Sequence, residues 1–355
     1  MYFHHPLYEE EIRAASAAPW IPWEELEGAS LLVTGATGLI GTCLIDLLME
    51  HNRESGRKPV EIWALGRSRS RLHRRFADYE GEAAFHFLIQ DICTPLPPDR
   101  GFSYIINGAS NAHPAAYSSD PVGTILTNVQ GLSSLLAHAV QHGTRRVLEI
   151  SSVEIYGQNR GDAMCFSEEY CGNIDCNTVR AGYPESKRVC EALCQAYRKQ
   201  YGLAVCIARP SRVYGPTMLE ADNKATAQFI RHAVQGEDIV LKSSGKQRYS
   251  YTYALDAATA FLIILLRGED GEAYNIADSR STLTLKELAE KAAHLGNSRV
   301  IHAAASPTED AGFSHLENGV MDAGKLQALG WRAATGIDDG LSCTVRILRE
   351  ENNAD

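Results

Sequence analysis

The chain has 355 residues, 45% of them hydrophobic and 22% charged, with a formal net charge of −10. That acidic balance argues against nucleic acid or anionic lipid as a partner, since both need a basic surface, but leaves room for an anionic small substrate held by local arginines. No apolar run reaches membrane-spanning length, and the first 27 residues lack the basic segment and apolar core of a secretory signal. Nine cysteines without framework spacing suggest free thiols in a reducing compartment, so a cytoplasmic protein is expected.

A polar helical extension, Tyr8 to Glu27, precedes the first strand, Ser30 to Val33. A glycine-rich turn follows, then a helix from Leu39 to Glu50. Val60 to Leu65, Phe85 to Ile89 and Tyr104 to Ile106 read as further strands. Pro121 to His142 is a long amphipathic helix, Arg146 to Ile150 a strand, Pro184 to Tyr201 a helix and Ala204 to Ala208 a strand. Such alternation predicts an α/β protein with a Rossmann-like doubly wound parallel sheet. Past Pro216 the rhythm breaks into helices at Lys224 to Gln235, Ala254 to Leu266 and Leu285 to Leu295. Short strands at Asp238 to Leu241 and Ala273 to Ile276 lie between them, giving a smaller α+β substrate lobe. The expected organisation is an extension over 1–28, a dinucleotide-binding domain over 29–215 and the lobe over 216–355, with the lobes interleaved.

The turn Thr34-Gly35-Ala36-Thr37-Gly38-Leu39-Ile40-Gly41 lies between strand and helix, where glycines let backbone N–H groups approach a pyrophosphate at the helix N-terminus. Gly35, Thr37, Gly38, Leu39, Ile40 and Gly41 are therefore candidate cofactor contacts. The second strand ends Gly66-Arg67-Ser68-Arg69 with no carboxylate for a ribose 2′-hydroxyl. Arg67 suits a 2′-phosphate, or it starts a solvated helix or stacks on adenine, so NAD and NADP both stay open. Asp91 and Ile92 are placed for the adenine and Ala109 for the ribose, each with the plainer reading of a strand-end turn.

Tyr183-Pro184-Glu185-Ser186-Lys187 puts a phenol and an ammonium on one helix face, the pairing that favours a phenolate base near neutral pH. Ser152, at the end of the fifth strand, is positioned to hydrogen-bond the same substrate oxygen. Cys165, Cys171 and Cys176 with His113 match no zinc spacing, so no metal is expected. Cys190 and Cys194 read as packing residues, His4 and His5 as exposed, and Arg71 to Arg75 as a solvated helix face.

These residues resemble the extended short-chain dehydrogenases/reductases, the NAD-dependent epimerase/dehydratase group, over about Ser30 to Leu348. Ala208-Arg209-Pro210-Ser211-Arg212-Val213-Tyr214-Gly215-Pro216 and Tyr274-Asn275-Ile276-Ala277 look like two of the family's later runs. Within the group, Gly108 to Pro114 and Glu168-Glu169-Tyr170-Cys171-Gly172-Asn173-Ile174 look most like UDP-glucuronate decarboxylases, as do Arg180 before Tyr183 and Glu154 beside Ser152. The resemblance implies oxidation of a nucleotide-sugar C4 hydroxyl to a ketone, with Ser152, Glu154, Tyr183 and Lys187 catalytic. It further implies that Lys187 and Pro210 contact the cofactor, that Asn111, Arg180, Arg212 and Tyr249 line the substrate, and that two copies form a homodimer through the two long helices. The rivals are an NADPH-dependent reductase of a keto sugar or small carbonyl compound and a non-catalytic NAD(H) sensor. There are departures. Val153 replaces one acid of the dehydratase pair, Arg212 stands where Asn is usual, and Thr217 and Tyr249 stand where Arg is usual. Glu154 is then either a second acid/base or a carboxylate that only orders the strand end.

Overall fold

The computed structural model describes residues 4–112, 114–304, 314 and 316–352. The first part of the chain runs α1 (Pro6–Ser16), β1 (Ser30–Thr34), α2 (Leu39–Glu54), β2 (Glu61–Gly66), α3 (Arg69–Arg75), β3 (Phe85–Ile89) and β4 (Tyr104–Asn107). It continues through α4 (Pro114–Ser119), α5 (Pro121–His142), β5 (Arg146–Ile150), α6 (Gly182–Tyr201) and β6 (Val205–Pro210). Next come β7 (Arg212–Tyr214), α7 (Ala225–Gln235), β8 (Ile239–Leu241), β9 (Arg248–Tyr253), α8 (Ala254–Arg267) and β10 (Ala273–Ile276). The chain closes with β11 (Thr282–Thr284), α9 (Leu285–Gly296), β12 (Val300–His302), β13 (Asn318–Gly319), α10 (Gly324–Ala328) and α11 (Ile337–Asn352).

The main sheet is parallel throughout, in the order β10-β6-β5-β4-β1-β2-β3. Helices cover both its faces, which is why strands such as Ser30–Thr34 are runs of apolar residues rather than alternating ones. Strand order reverses between β1 and β4, and the crevice at their carboxyl ends is where an open α/β sheet takes its ligand. Helix α8, apolar all round, is buried from Ala254 to Leu266 and packs on α2. Its continuation, β10, returns to the main sheet beside β6, so one strand of that sheet comes from beyond residue 216. The lobe is built on β11-β9-β13 with β7 beside β9, and on the pair β12-β8.

The helices and strands expected between Ser30 and Ala208 appear within a few residues of their predicted bounds, but the helical extension expected over Tyr8 to Glu27 ends at Ser16, and only a 3-10 turn, Trp23–Leu26, follows it. The N-terminal segment is tied onto the body. The Tyr8 hydroxyl donates to Asp46 of α2 at 2.8 Å, and the Tyr253 hydroxyl donates to Glu11 at 2.7 Å. His5, predicted to be exposed, is buried: its ring accepts from the Leu7 N–H at 3.3 Å, capping α1, and meets Glu350 of α11 at 3.1 Å. Helix α11 has an apolar face at Ile337, Leu341, Val345 and Leu348, but Gly340 interrupts its pattern. A Cβ there would meet the Tyr214 hydroxyl at 2.3 Å, so the glycine serves close approach. Cys190 and Cys194 are buried packing residues as expected.

Candidate active site

The glycine-rich turn sits on the crevice because its glycines let it. Gly35 has φ +64°, and a Cβ on it would lie 2.4 Å from the Gly108 carbonyl oxygen at the end of β4. Gly38 caps α2 without any side-chain hydrogen bond, so the N–H groups of the first turn stay available. An uncapped helix start beside a close-packed turn fits a dinucleotide pyrophosphate.

A cavity of about 450 Å³ opens between this turn, the ends of β4 and β5, and the lobe. Its wall brings together Gly35, Gly38, Leu39, Ile40, Gly41, Ser152, Glu154, Arg180, Tyr183, Lys187, Pro210, Arg212 and Tyr249. Thr37, Arg67, Asp91, Ile92, Ala109 and Asn111 lie outside that wall. Arg67 is half-exposed and reaches Asp91 at 3.8 Å. Ile92 is buried against α5, where a Cβ on Gly131 would meet it at 2.8 Å, and the Ala109 N–H donates to Thr34 Oγ1 at 3.1 Å. The basic run after β2 is not simply solvated: Arg71 lines the cavity, and Arg75 donates to the Thr217 carbonyl at 2.5 Å. Thr217 in turn donates to the Leu39 carbonyl at 2.7 Å, joining the lobe to the start of α2. His113 lies outside the described residues. Cys165, Cys171 and Cys176 are exposed.

Ser152, two residues past β5, caps the 3-10 helix Val153–Tyr156 by accepting the Glu154 N–H at 3.2 Å, so its own proton is left to donate into the cavity. Tyr183 is buried, and its ring stacks on Tyr117 of α4 with centroids 4.7 Å apart. Sequence reasoning did not find Tyr117, because neither the short helix that carries it nor the stacking partner leaves a spacing signature. Lys187, one turn on from Tyr183, donates to Glu149 at 2.9 Å and to the Ile150 carbonyl at 2.5 Å. Burial alone would lower the lysine's proton affinity, but the Glu149 charge outweighs it and holds Lys187 firmly protonated. Glu149 was also missed. Its signal was available: a charged residue inside the apolar strand Arg146–Ile150, where an unpaired carboxylate would be costly.

Glu154 faces two guanidinium groups, Arg180 (hydrogen-bonded to it) and Arg212 at 3.2 Å. Burial raises its proton affinity, but the two arginines more than reverse this, and the carboxyl titrates below its ordinary range. Arg180 also lies over the Tyr117 ring at 4.6 Å, and Arg212 over the Tyr249 ring at 4.8 Å. Strand β9 turns Tyr249 inward and Arg248 outward. Arg212 comes from β7, which pairs with β9. The guanidinium absent from position 249 is thus supplied beside it from the neighbouring strand. The cluster carries two cations and one anion. The Arg180 Nε and the hydroxyls of Ser110, Ser151 and Tyr251, all lining the cavity, are buried with no hydrogen-bond partner among the described residues. Such groups are normally satisfied, so they mark where a ligand's polar atoms belong.

The later motifs hold the wall in place. Asn275 of β10 accepts the Tyr156 hydroxyl at 2.6 Å and donates to the Phe166 and Asp322 carbonyls at 2.9 Å, while its N–H meets Glu168 at 2.8 Å. Arg209 of β6 forks onto Glu191 at 2.9 and 2.6 Å.

The model of the NAD dependent epimerase/dehydratase family matches residues 31–277. The chain belongs to this family. The enzyme's cofactor is NAD. This epimerase/dehydratase-family enzyme is 29% identical over 329 residues to UDP-glucuronic acid decarboxylase 1 of Xenopus tropicalis, covering 92% of this chain and 74% of the relative. It is 32% identical over 269 residues to UDP-glucuronic acid decarboxylase 3 of Arabidopsis thaliana, covering 75% and 74%. Among solved structures it superposes on dTDP-glucose 4,6-dehydratase from Streptomyces venezuelae, which holds NAD, with a TM-score of 0.77 and 26% identity over 92% of this chain and 98% of that one. Among its described residues no helix is long and apolar enough to cross a membrane.

Proposed function

We propose that this enzyme oxidises the C4 hydroxyl of a UDP-sugar bearing a carboxylate at C6, and that the resulting ketone drives decarboxylation. The observation that carries the reading is the Glu154–Arg180–Arg212 cluster in the cavity wall, which has an excess of one positive charge and unpartnered donors. A carboxylate suits paired guanidinium forks. The decarboxylase relatives favour a uronic acid over a neutral sugar.

Gly35, Gly38, Leu39 and Ile40 would hold the NAD pyrophosphate, and Lys187 the nicotinamide ribose. NAD, when bound, supplies the acceptor for the C4 hydride and returns it. Tyr183 takes the C4 hydroxyl proton, with Lys187 keeping its ammonium charge nearby. Ser152 donates to the C4 oxygen. Once C4 is a ketone, the C6 carboxylate is a β-keto acid, and carbon dioxide leaves with its electron pair passing to the C4 oxygen. The C5 carbon, left as an enolate, must then gain a proton, and Glu154, held ionised, suits ordering the water that delivers it rather than donating one itself. Arg212 and Arg180 orient the carboxylate.

Two copies pair through α5 and α6, a reading supported by Val122, Ile125, Leu126 and Val189, which expose apolar side chains on those helices. A cytoplasmic setting is supported by the absence of any disulfide among the nine cysteines. The test of the substrate reading is binding to NAD-loaded protein. UDP-glucuronate should bind roughly tenfold or more tightly than UDP-glucose, the order expected of one charge-assisted hydrogen-bonded pair. Equal affinities would overturn the assignment of the cluster to a carboxylate.

A further inference from the structure

Three polar side chains lie in one row across the carboxyl end of the main sheet. Thr34 of β1 is in register with Asn107 of β4, and Asn107 with Glu149 of β5. All three are sealed from solvent, at 1%, 2% and 0% exposure. The Thr34 hydroxyl donates to Asn107 Oδ1 at 2.7 Å, and Asn107 Nδ2 donates to Glu149 Oε2 at 2.6 Å. The other carboxylate oxygen accepts from Lys187 Nζ at 2.9 Å. At its far end the row meets the phosphate-binding turn: Thr34 directly precedes Gly35, and its Oγ1 accepts the N–H groups of Gly108 and Ala109, each at 3.1 Å.

A buried glutamate inside a parallel sheet is expensive, and hydrophobic residues of like volume would stabilise a sheet at least as well. Its satisfied geometry therefore points to what it does for the lysine. We propose that Glu149 is a positioning residue for the oxidoreduction step, holding Lys187 charged and fixed through the Thr34–Asn107–Glu149 row, which joins it to the cofactor-binding turn. The inference rests on the reading of Tyr183 and Lys187 as the pair that moves the hydroxyl proton.

The surroundings leave Glu149 as the anion that acts on Lys187. On α6 the lysine's neighbours are Tyr183, Cys190, Cys194 and Glu191. Burial pushes the Cys190 thiol up to about 12 and raises Cys194 well above its usual value, so both are neutral. Glu191 is committed to Arg209 of β6. From β4 only the uncharged Asn107 faces the pair, and on β5 the Ile150 carbonyl completes the lysine's contacts. Without the Glu149 charge, Lys187 would sit desolvated with no anion beside it, and its proton affinity would fall.

The experiment compares Glu149→Gln, which keeps the shape without the charge, with Glu149→Asp, which keeps the charge with a shorter reach. NAD affinity is read by fluorescence, folding by thermal melting and turnover across pH. In Glu149→Gln, kcat should fall roughly tenfold to a hundredfold, and the alkaline loss of activity should move about one unit or more toward neutral pH, because Lys187 releases its proton earlier. NAD affinity at neutral pH should be retained. Glu149→Asp should lose kcat but keep the wild-type alkaline limb. A lowered melting temperature in Glu149→Gln with an unmoved pH profile would mean that the row is structural only and would overturn the proposal. If Glu149→Gln does not fold, Asn107→Leu carries the test: it should shift the alkaline limb in the same direction by a smaller amount, and an unmoved limb would overturn the proposal. A Tyr183→Phe enzyme with full turnover would instead remove the underlying reading of the pair.

Discussion

Glu149 and Glu154 stand on either side of Ser152, on one strand end, and both are buried. Their environments push them apart. Glu149 has one cation, Lys187, and burial leaves its carboxyl above the ordinary range despite that partner. Glu154 has two, Arg180 and Arg212, and they bring its carboxyl below it. The first pair is neutral and enclosed in the sheet. The second cluster is positive and faces the cavity. One residue type thus serves two ends, fixing the α6 lysine against the end of the sheet and setting the charge of the pocket, and the number of cations around each carboxylate decides which.

The largest effect should come from the phenol on which both regions converge. Tyr183→Phe should bind NAD as the parent does, yet lose about a thousandfold or more in kcat, as removal of a base that is also an acid on the return step implies. Nearly parental turnover in that variant would detach the Glu149–Lys187 pair from the chemistry. Next in size, Glu154→Gln should lower kcat by roughly ten to a hundredfold without raising KM for a substrate carrying a carboxylate, since the two arginines lose a competing anion. Its alkaline limb should stay where the parent has it, in contrast to Glu149→Gln. A raised KM with unchanged kcat would place Glu154 in ground-state binding alone and erase the distinction between the two carboxylates.

Much of this was legible in the sequence because it is local. The turn from Thr34 to Gly41 needs its glycines at fixed spacing, and Tyr183 and Lys187 need one helix turn. Each leaves a pattern that survives without a fold. The Thr34–Asn107–Glu149 row leaves none, because strands β1, β4 and β5 are brought side by side only by a parallel register across more than a hundred residues of chain. The same holds for Arg212 and Tyr249. Read singly, Tyr249 removes a guanidinium and Arg212 is an oddity, whereas the pairing of β7 with β9 makes them one exchange. Ile92 lies opposite Gly131 and is drawn under α5, a packing between distant segments that no local spacing announces. His5 failed because capping and the Glu350 contact bury a side chain whose sequence position suggested solvent.

We assign the positive cluster at Glu154 to decarboxylation of a uronic acid. Mass spectrometry of the purified protein with NAD and UDP-glucuronate, beside UDP-glucose and UDP-N-acetylglucosamine, tests it directly. The expected result is loss of carbon dioxide from UDP-glucuronate and no change in the neutral sugars. An isomer of unchanged mass from a neutral sugar, with UDP-glucuronate left intact, would contradict it and make Arg212 part of an epimerase site.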